Sequence, residues 1–134
     1  MGRAVIDTAV SRSDLLVVAA VDRPDALGVG TSVGGVVSSV DLAAGLDACD
    51  VYIDFTSPAA TRVAAQLATA RRRAAVIGTT GLGPDDEAAV AALAAVAPIV
   101  VASNFSLGVN LMRGLARTAA RVLGPDWDAE VVET

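Results

Sequence analysis

Four short polar or glycine-bearing segments hold the residues best suited to chemistry. They are Asp22-Arg23, Asp54-Phe55-Thr56-Ser57-Pro58, Gly78-Thr79-Thr80-Gly81 and Ser103-Asn104-Phe105-Ser106. Their carboxylates, hydroxyls, carboxamide and guanidinium are groups that bind and orient a ligand more readily than they attack one. The rest of the composition narrows the chemistry further. The chain has no histidine, and all ten of its basic residues are arginine. Histidine bases, histidine metal ligands, Schiff-base lysines and the phosphate-gripping lysine of a P-loop are therefore excluded within these 134 residues. A catalyst built from this chain alone would rest on carboxylates, hydroxyls, the Cys49 thiol and the Tyr52 phenol.

Each of the four segments follows an apolar run that reads as a strand. Leu15–Val21, Val51–Phe55, Ala74–Ile77 and Ile99–Ala102 are short, continuous and rich in β-branched residues, and Glu130–Glu133 is a candidate for a further one. Continuous apolar strands, without alternation, are the habit of parallel sheets buried on both faces. Helical patterns lie between them. Gly2–Val10 is apolar at Val5, Ile6, Ala9 and Val10, and Asp41–Leu46 reads as a short helix. Pro58–Ala70 offers Ala60, Val63, Ala64 and Leu67 as an inward stripe. The helix that opens at Pro84 carries Asp85, Asp86 and Glu87 at its positive end, with Val90, Leu93 and Ala97 facing inward. From Leu107 to Leu123, the residues Leu111, Leu115, Ala119 and Val122 form an expected buried stripe, Arg113, Arg117 and Arg121 a solvated one, and Gly124-Pro125 a stop. Only Pro24–Val40, rich in glycine, serine and valine, breaks the alternation, as a loop with room for a short strand. Strand–helix alternation at this spacing predicts an α/β fold with a Rossmann-type doubly wound parallel sheet, and a single domain over 1–134.

In an open parallel sheet, ligands bind outside the carboxyl ends of the strands, and the four segments share that rim. Singly, each is an ordinary set of turn and capping residues. Asp22 adds a spacing. It follows Gly2 by 20 positions, the separation at which an acidic residue meets the ribose hydroxyls in dinucleotide-binding units. Arg23 beside it could meet a 2′-phosphate, so the pair suits both NAD and NADP forms; a strand that ends in a solvated ion pair would look the same.

A net charge of −5 and a pI near 4.5 argue against a nucleic-acid or anionic membrane surface. One cysteine cannot form an internal disulfide, which fits a reducing cytoplasm. The apolar stretch around position 90 is too short to span a bilayer, and Asp7 interrupts any signal-peptide pattern at the front.

Taken together, Met1-Gly2-Arg3, V-Y-I-D-F-T-S-P (51–58), V-I-G-T-T-G (76–81) and A-S-N-F-S-L-G-V-N (102–110) resemble the cofactor domain of the dihydrodipicolinate reductases. These are NAD(P)H-dependent enzymes of lysine and diaminopimelate biosynthesis. The resemblance runs the length of the chain and covers about half of a family member. It implies an NADH or NADPH cofactor, a small dicarboxylate substrate bound with a second domain, a homo-oligomeric full-length protein, and no nucleic-acid or membrane partner. It implies cofactor contacts at Met1 and Gly2, which match the end of the glycine-rich pyrophosphate loop. Asp22 matches the acid that reads the adenine ribose, and Arg23 its phosphate-accommodating neighbour. Gly78, Thr79 and Thr80 match the turn along the nicotinamide, and Phe55 and Thr56 share that rim. Ala102, Ser103, Asn104 and Phe105 match the second turn near the reaction centre.

Departures from the family pattern carry their own expectations. In the family a strand and the front of the glycine loop precede the methionine, and an H-H-x-H-K segment with a following S-G-T comes just after V-V-E-T. The reading expected is therefore a partial cofactor domain, with Met1 an internal methionine of the reading frame, the first strand of the sheet lacking, and no catalytic residue or turnover from these 134 residues alone. A non-catalytic nucleotide-binding module and the first domain of another Rossmann oxidoreductase remain the alternatives.

Overall fold

A computed structural model describes residues 1–132 of the chain. Met1–Ala102 forms one compact unit and Ser103–Thr134 another. The first begins with helix α1 (Gly2–Val10), followed by a small antiparallel hairpin of β1 (Ser32–Val33) and β2 (Val36–Val37). Gly34 and Gly35, both at positive φ, make its turn. Glycine suits this conformation because a two-residue hairpin turn needs φ above zero at both central positions. Helix α2 (Leu42–Ala48), β3 (Val51–Asp54), α3 (Pro58–Arg71), β4 (Ala74–Ile77), α4 (Pro84–Ala94) and β5 (Ile99–Val101) complete the unit.

The three strands β3, β4 and β5 pair in that order, all parallel, with Ile53 opposite Val76 and Val76 opposite Val100. The parallel sheet with helical crossovers meets the α/β expectation. Local chemistry sets the helix ends. Ser57 caps α3 by accepting the Ala60 N–H at 3.4 Å, with Pro58 in the first turn. Asp41 caps α2 through the Ala44 N–H at 2.9 Å, and the Asp86 carboxylate takes the Gly83 N–H at 2.9 Å at the start of α4. The core lies on the sheet face that carries Ala75 and Ile77, where Leu46, Ala65, Ala68, Val90 and Leu93 close over it.

Three expectations of burial are corrected. The run Leu15–Val21 is extended but forms no strand; only an isolated parallel bridge joins Val21 to Ser39. An apolar cleft of about 350 Å³ is lined by Leu15, by Ile53 of β3 and by Ala4, Val5, Thr8 and Ala9 of α1. A strand exists by pairing its backbone, and across this cleft neither the Leu15 run nor β3 meets a partner edge. In α3 the buried residues are Thr61, Ala64, Ala65 and Ala68, while Val63 is exposed. The helix turns its smallest residues to α4 and the sheet, which lets the backbones approach closely. The third case is α5 (Leu107–Leu123), which is helical as expected but buries none of its residues. Among the described residues its unit contains no second element to form the other layer of a core. Of the run 130–133, residues 130–132 carry no strand and Glu133 lies outside the described residues. Among the described residues no helix is long and apolar enough to cross a membrane.

Candidate functional site

The carboxyl ends of β3 and β4 are tied together by a buried polar cluster. Asp54, the last residue of β3, is only 4% exposed. Its Oδ1 accepts from the Thr56 N–H at 3.0 Å, from the Thr56 hydroxyl at 2.6 Å and from the Thr79 hydroxyl at 3.3 Å. The Thr56 N–H is shared with Thr79 Oγ1, also at 3.0 Å. Backbone bonds extend the join: the Gly78 N–H donates to the Asp54 carbonyl at 2.7 Å, and the Ala102 N–H to the Ile77 carbonyl at 3.1 Å. The Phe55 ring lies against Gly78 so closely that a Cβ there would sit inside the ring's contact distance, 2.7 Å from Cζ and nearer still to Cδ1 and Cε1. Gly78 is therefore the residue that lets the two turns meet. Thr79 is buried and turned into the cluster, whereas Thr80 beside it is exposed.

A second cleft, of about 330 Å³, forms at the start of α1. Gly2, Arg3 and Ile6 form one wall, Ala20, Val21 and Asp22 another, and Gly28, Thr31, Val33 and Ser38 from the loop and hairpin the third. The first helical hydrogen bond runs from the Val5 N–H to the Met1 carbonyl at 3.2 Å, and no side chain caps the N–H groups ahead of it. Such a helix start presents donors and a partial positive charge, which suit an anionic group. Asp22 faces the same cleft, and one of its oxygens is oriented by the Arg23 N–H at 2.8 Å. Together they pair an anion-binding end with an acceptor of hydroxyl groups.

Sequence-predicted residues divide as follows. Gly2 and Asp22 come together in the α1 cleft, while Met1, at 77% exposed, caps the helix outside the cleft lining. Arg23 is exposed and pairs with Asp25 at 3.2 Å. Phe55, Thr56, Gly78 and Thr79 are in one cluster, and Ala102 is joined to it through Ile77. Ser103, Asn104 and Phe105 belong to the second unit, where they are exposed. There Asn104 Oδ1 accepts the Ser106 N–H at 2.7 Å, the Asn110 amide donates to the Asn104 carbonyl at 3.1 Å, and Ser106 caps α5 through the Val109 N–H. Sequence reasoning placed Asp54 in a rim segment and Arg3 in the Met1-Gly2-Arg3 motif without naming either as a cofactor contact, and it did not single out Gly28, Thr31 or Ser38. The signal for Asp54 was an acid closing an apolar strand; for the hairpin wall it was Gly-Gly between valines.

The remaining reactive groups are held protonated. Burial pushes the Cys49 thiol up and the Tyr52 phenol up to about 12, so neither supplies a nucleophile at neutral pH. No group of acidic residues and cysteine that could hold a metal ion occurs among the described residues.

Residues 1–105 match the family model described as dihydrodipicolinate reductase, N-terminus. The chain is 43% identical to the 4-hydroxy-tetrahydrodipicolinate reductase of Saccharophagus degradans, with 99% of this chain and 53% of that protein covered. It is 44% identical to the protein of that name from Alkalilimnicola ehrlichii (99% and 53%) and 41% to that of Methylocella silvestris (99% and 52%). The chain spans about half the length of the curated relatives it matches.

Proposed function

This chain belongs to the dihydrodipicolinate reductase family, and on that premise we propose that it is the dinucleotide-binding part of a 4-hydroxy-tetrahydrodipicolinate reductase. The whole reaction would reduce and dehydrate 4-hydroxy-tetrahydrodipicolinate to tetrahydrodipicolinate, in the cytoplasm, on the way to diaminopimelate and lysine. NADH or NADPH, when bound, supplies the hydride. The residues of this chain supply its seat. Met1 and Gly2 at the head of α1 receive the pyrophosphate on backbone N–H groups. Asp22 accepts the adenine-ribose hydroxyls, and Arg23 meets the additional phosphate of NADPH. The turns Phe55-Thr56 and Gly78-Thr79-Thr80 line the nicotinamide half, along with Ala102, Ser103, Asn104 and Phe105.

The observation that supports this reading most directly is the α1 cleft, which Gly2 and Asp22 both line although they are 20 positions apart. The residues fit the ligand: an uncapped helix start beside a carboxylate matches a pyrophosphate beside a ribose. The histidine and lysine that would give a proton to the reduced ring are not among these residues. Binding without turnover is thus the expected behaviour of these 134 residues.

Calorimetric titration of the chain with NADH and NADPH tests the proposal. Asp22→Ala should weaken NADH by about 10- to 100-fold, the worth of charge-assisted bonds to hydroxyls, while NADPH, whose phosphate the carboxylate repels, loses less. Failure of the chain to bind either dinucleotide, or an unchanged NADH affinity in Asp22→Ala, would overturn it.

A further inference from the structure

We infer that Asp54 is a positioning residue whose buried carboxylate fastens together the two turns that follow β3 and β4, and thereby shapes the surface offered to the nicotinamide half of the cofactor. The inference rests on the proposed binding of a dinucleotide along this rim. Its basis is a side chain that stability alone explains poorly. A carboxylate that is 4% exposed has lost most of its hydration, and its Oδ2 is buried with no hydrogen-bond partner among the described residues. Such burial is unfavourable unless the bonds it does make are needed. Those bonds all reach one atom, Oδ1, from donors on two separate turns: the N–H and hydroxyl of Thr56, and the hydroxyl of Thr79, 25 positions beyond Asp54.

The geometry also divides the labour within the second turn. Thr79 accepts the Thr56 N–H and gives its single hydroxyl proton to Asp54, so that proton is committed inward. Thr80 is exposed. Phe55, the residue between Asp54 and Thr56, has its ring against Gly78. Releasing the carboxylate would therefore loosen both turns and the ring together, with the Thr56 N–H bond to Thr79 and the backbone bond from Gly78 left to join them. The α1 cleft, which takes the adenosine half in the proposed seat, shares none of these residues. Asp54 should accordingly act on one end of the ligand alone.

That asymmetry is the test. The 134-residue chain is titrated with NADH and with ADP-ribose, which lacks the nicotinamide, while nicotinamide fluorescence is followed for the first ligand. Asp54→Ala should weaken NADH by at least about 10-fold and lose the fluorescence change, with ADP-ribose affinity kept within about twofold. Asp54→Asn, whose amide oxygen can accept the same three bonds, should restore NADH to within about threefold. Thr79→Val, which removes the hydroxyl's bonds to Asp54 and to the Thr56 N–H but keeps those between Asp54 and Thr56, should give a smaller but still NADH-selective loss, and it serves if Asp54→Ala fails to fold. Equal weakening of both ligands by Asp54→Ala, no rescue by asparagine, or no selective loss in Thr79→Val would overturn the inference and leave the dinucleotide reading standing. Wild-type chain that binds neither ligand would overturn both.

Discussion

Gly78→Ala is a substitution whose effect can be worked from the structure almost atom by atom. The backbone of Gly78 is not in the left-handed region, so an alanine there meets no conformational penalty. In an open position the change would stabilise the chain by about 0.4–1 kcal/mol through the unfolded state. Here the new methyl group meets the Phe55 ring, with Cζ at 2.7 Å and two further ring carbons closer still. Carbon atoms prefer about 3.5–4.0 Å, so the ring or the backbone must yield by roughly 1 Å or more. The backbone has little freedom, because the Gly78 N–H is bonded to the Asp54 carbonyl at 2.7 Å and Thr56 is held by Asp54 and Thr79. The ring must then strain or swing outward. Overpacking of this kind costs about 1–3 kcal/mol, which for a domain of this size is roughly 3–5 °C of melting temperature per kcal/mol. Thermal and urea unfolding of wild type, Gly78→Ala, Phe55→Ala and the double variant measure it as a cycle. Gly78→Ala should destabilise the wild type but be neutral or stabilising once the ring is gone. An equal cost in both backgrounds would refute the reasoning, because the ring would then not be what the methyl group meets.

Two further substitutions address orphaned hydroxyls. Tyr52 Oη is buried with no hydrogen-bond partner among the described residues, and Tyr52→Phe should stabilise the fold by roughly 1 kcal/mol in urea unfolding at pH 7. The same variant tests a pH dependence. With the phenol held up to about 12 in the fold against 10 in the unfolded chain, the unfolded state loses a proton first, so wild-type stability should fall as pH rises from about 10 to 12; Tyr52→Phe should flatten that fall, and an unchanged slope would assign it to other groups. Thr61, fully buried on α3 with its hydroxyl unpaired, should gain roughly 1 kcal/mol as Thr61→Val, measured by the same unfolding; a loss would show that the hydroxyl has a partner in solution.

What the sequence made legible follows the range of the interaction that decides it. The limits of α1, β4 and α5 fall where the pattern puts them, and for α5 the cause is local, since the Ser106 cap and the Gly124 stop act within a turn of the chain. Burial was less legible. Nothing in Leu111, Leu115 or Val122 reveals that α5 leaves them exposed, since that depends on what else its unit contains. Leu15–Val21 has the composition of a buried strand, yet a strand is a relation between two backbones, and the second is set elsewhere. In α3 the expected stripe holds in part: Ala64 is buried and Leu67 packs against the core, while Val63 is exposed and Ala65 and Ala68 take the close approach to the sheet.

The candidate site shows where a stricter use of the same rules would have reached further. Residues of a strand alternate between faces, and in β4 the buried members are Ala75 and Ile77. Carried two residues past the end of the strand, that parity puts Thr79 on the covered side and Thr80 on the open one, as observed. In β3 the same parity sets Asp54 on the face of Tyr52, away from Val51 and Ile53, which are exposed. Register then brings Asp54 opposite Ile77, two residues before Thr79, so the acid of one motif and the hydroxyl of the other reach the same side of the sheet. Parity and register together thus make the two motifs a single hydrogen-bonded unit. Reading them as separate turns on a shared rim hid the carboxylate that holds them together.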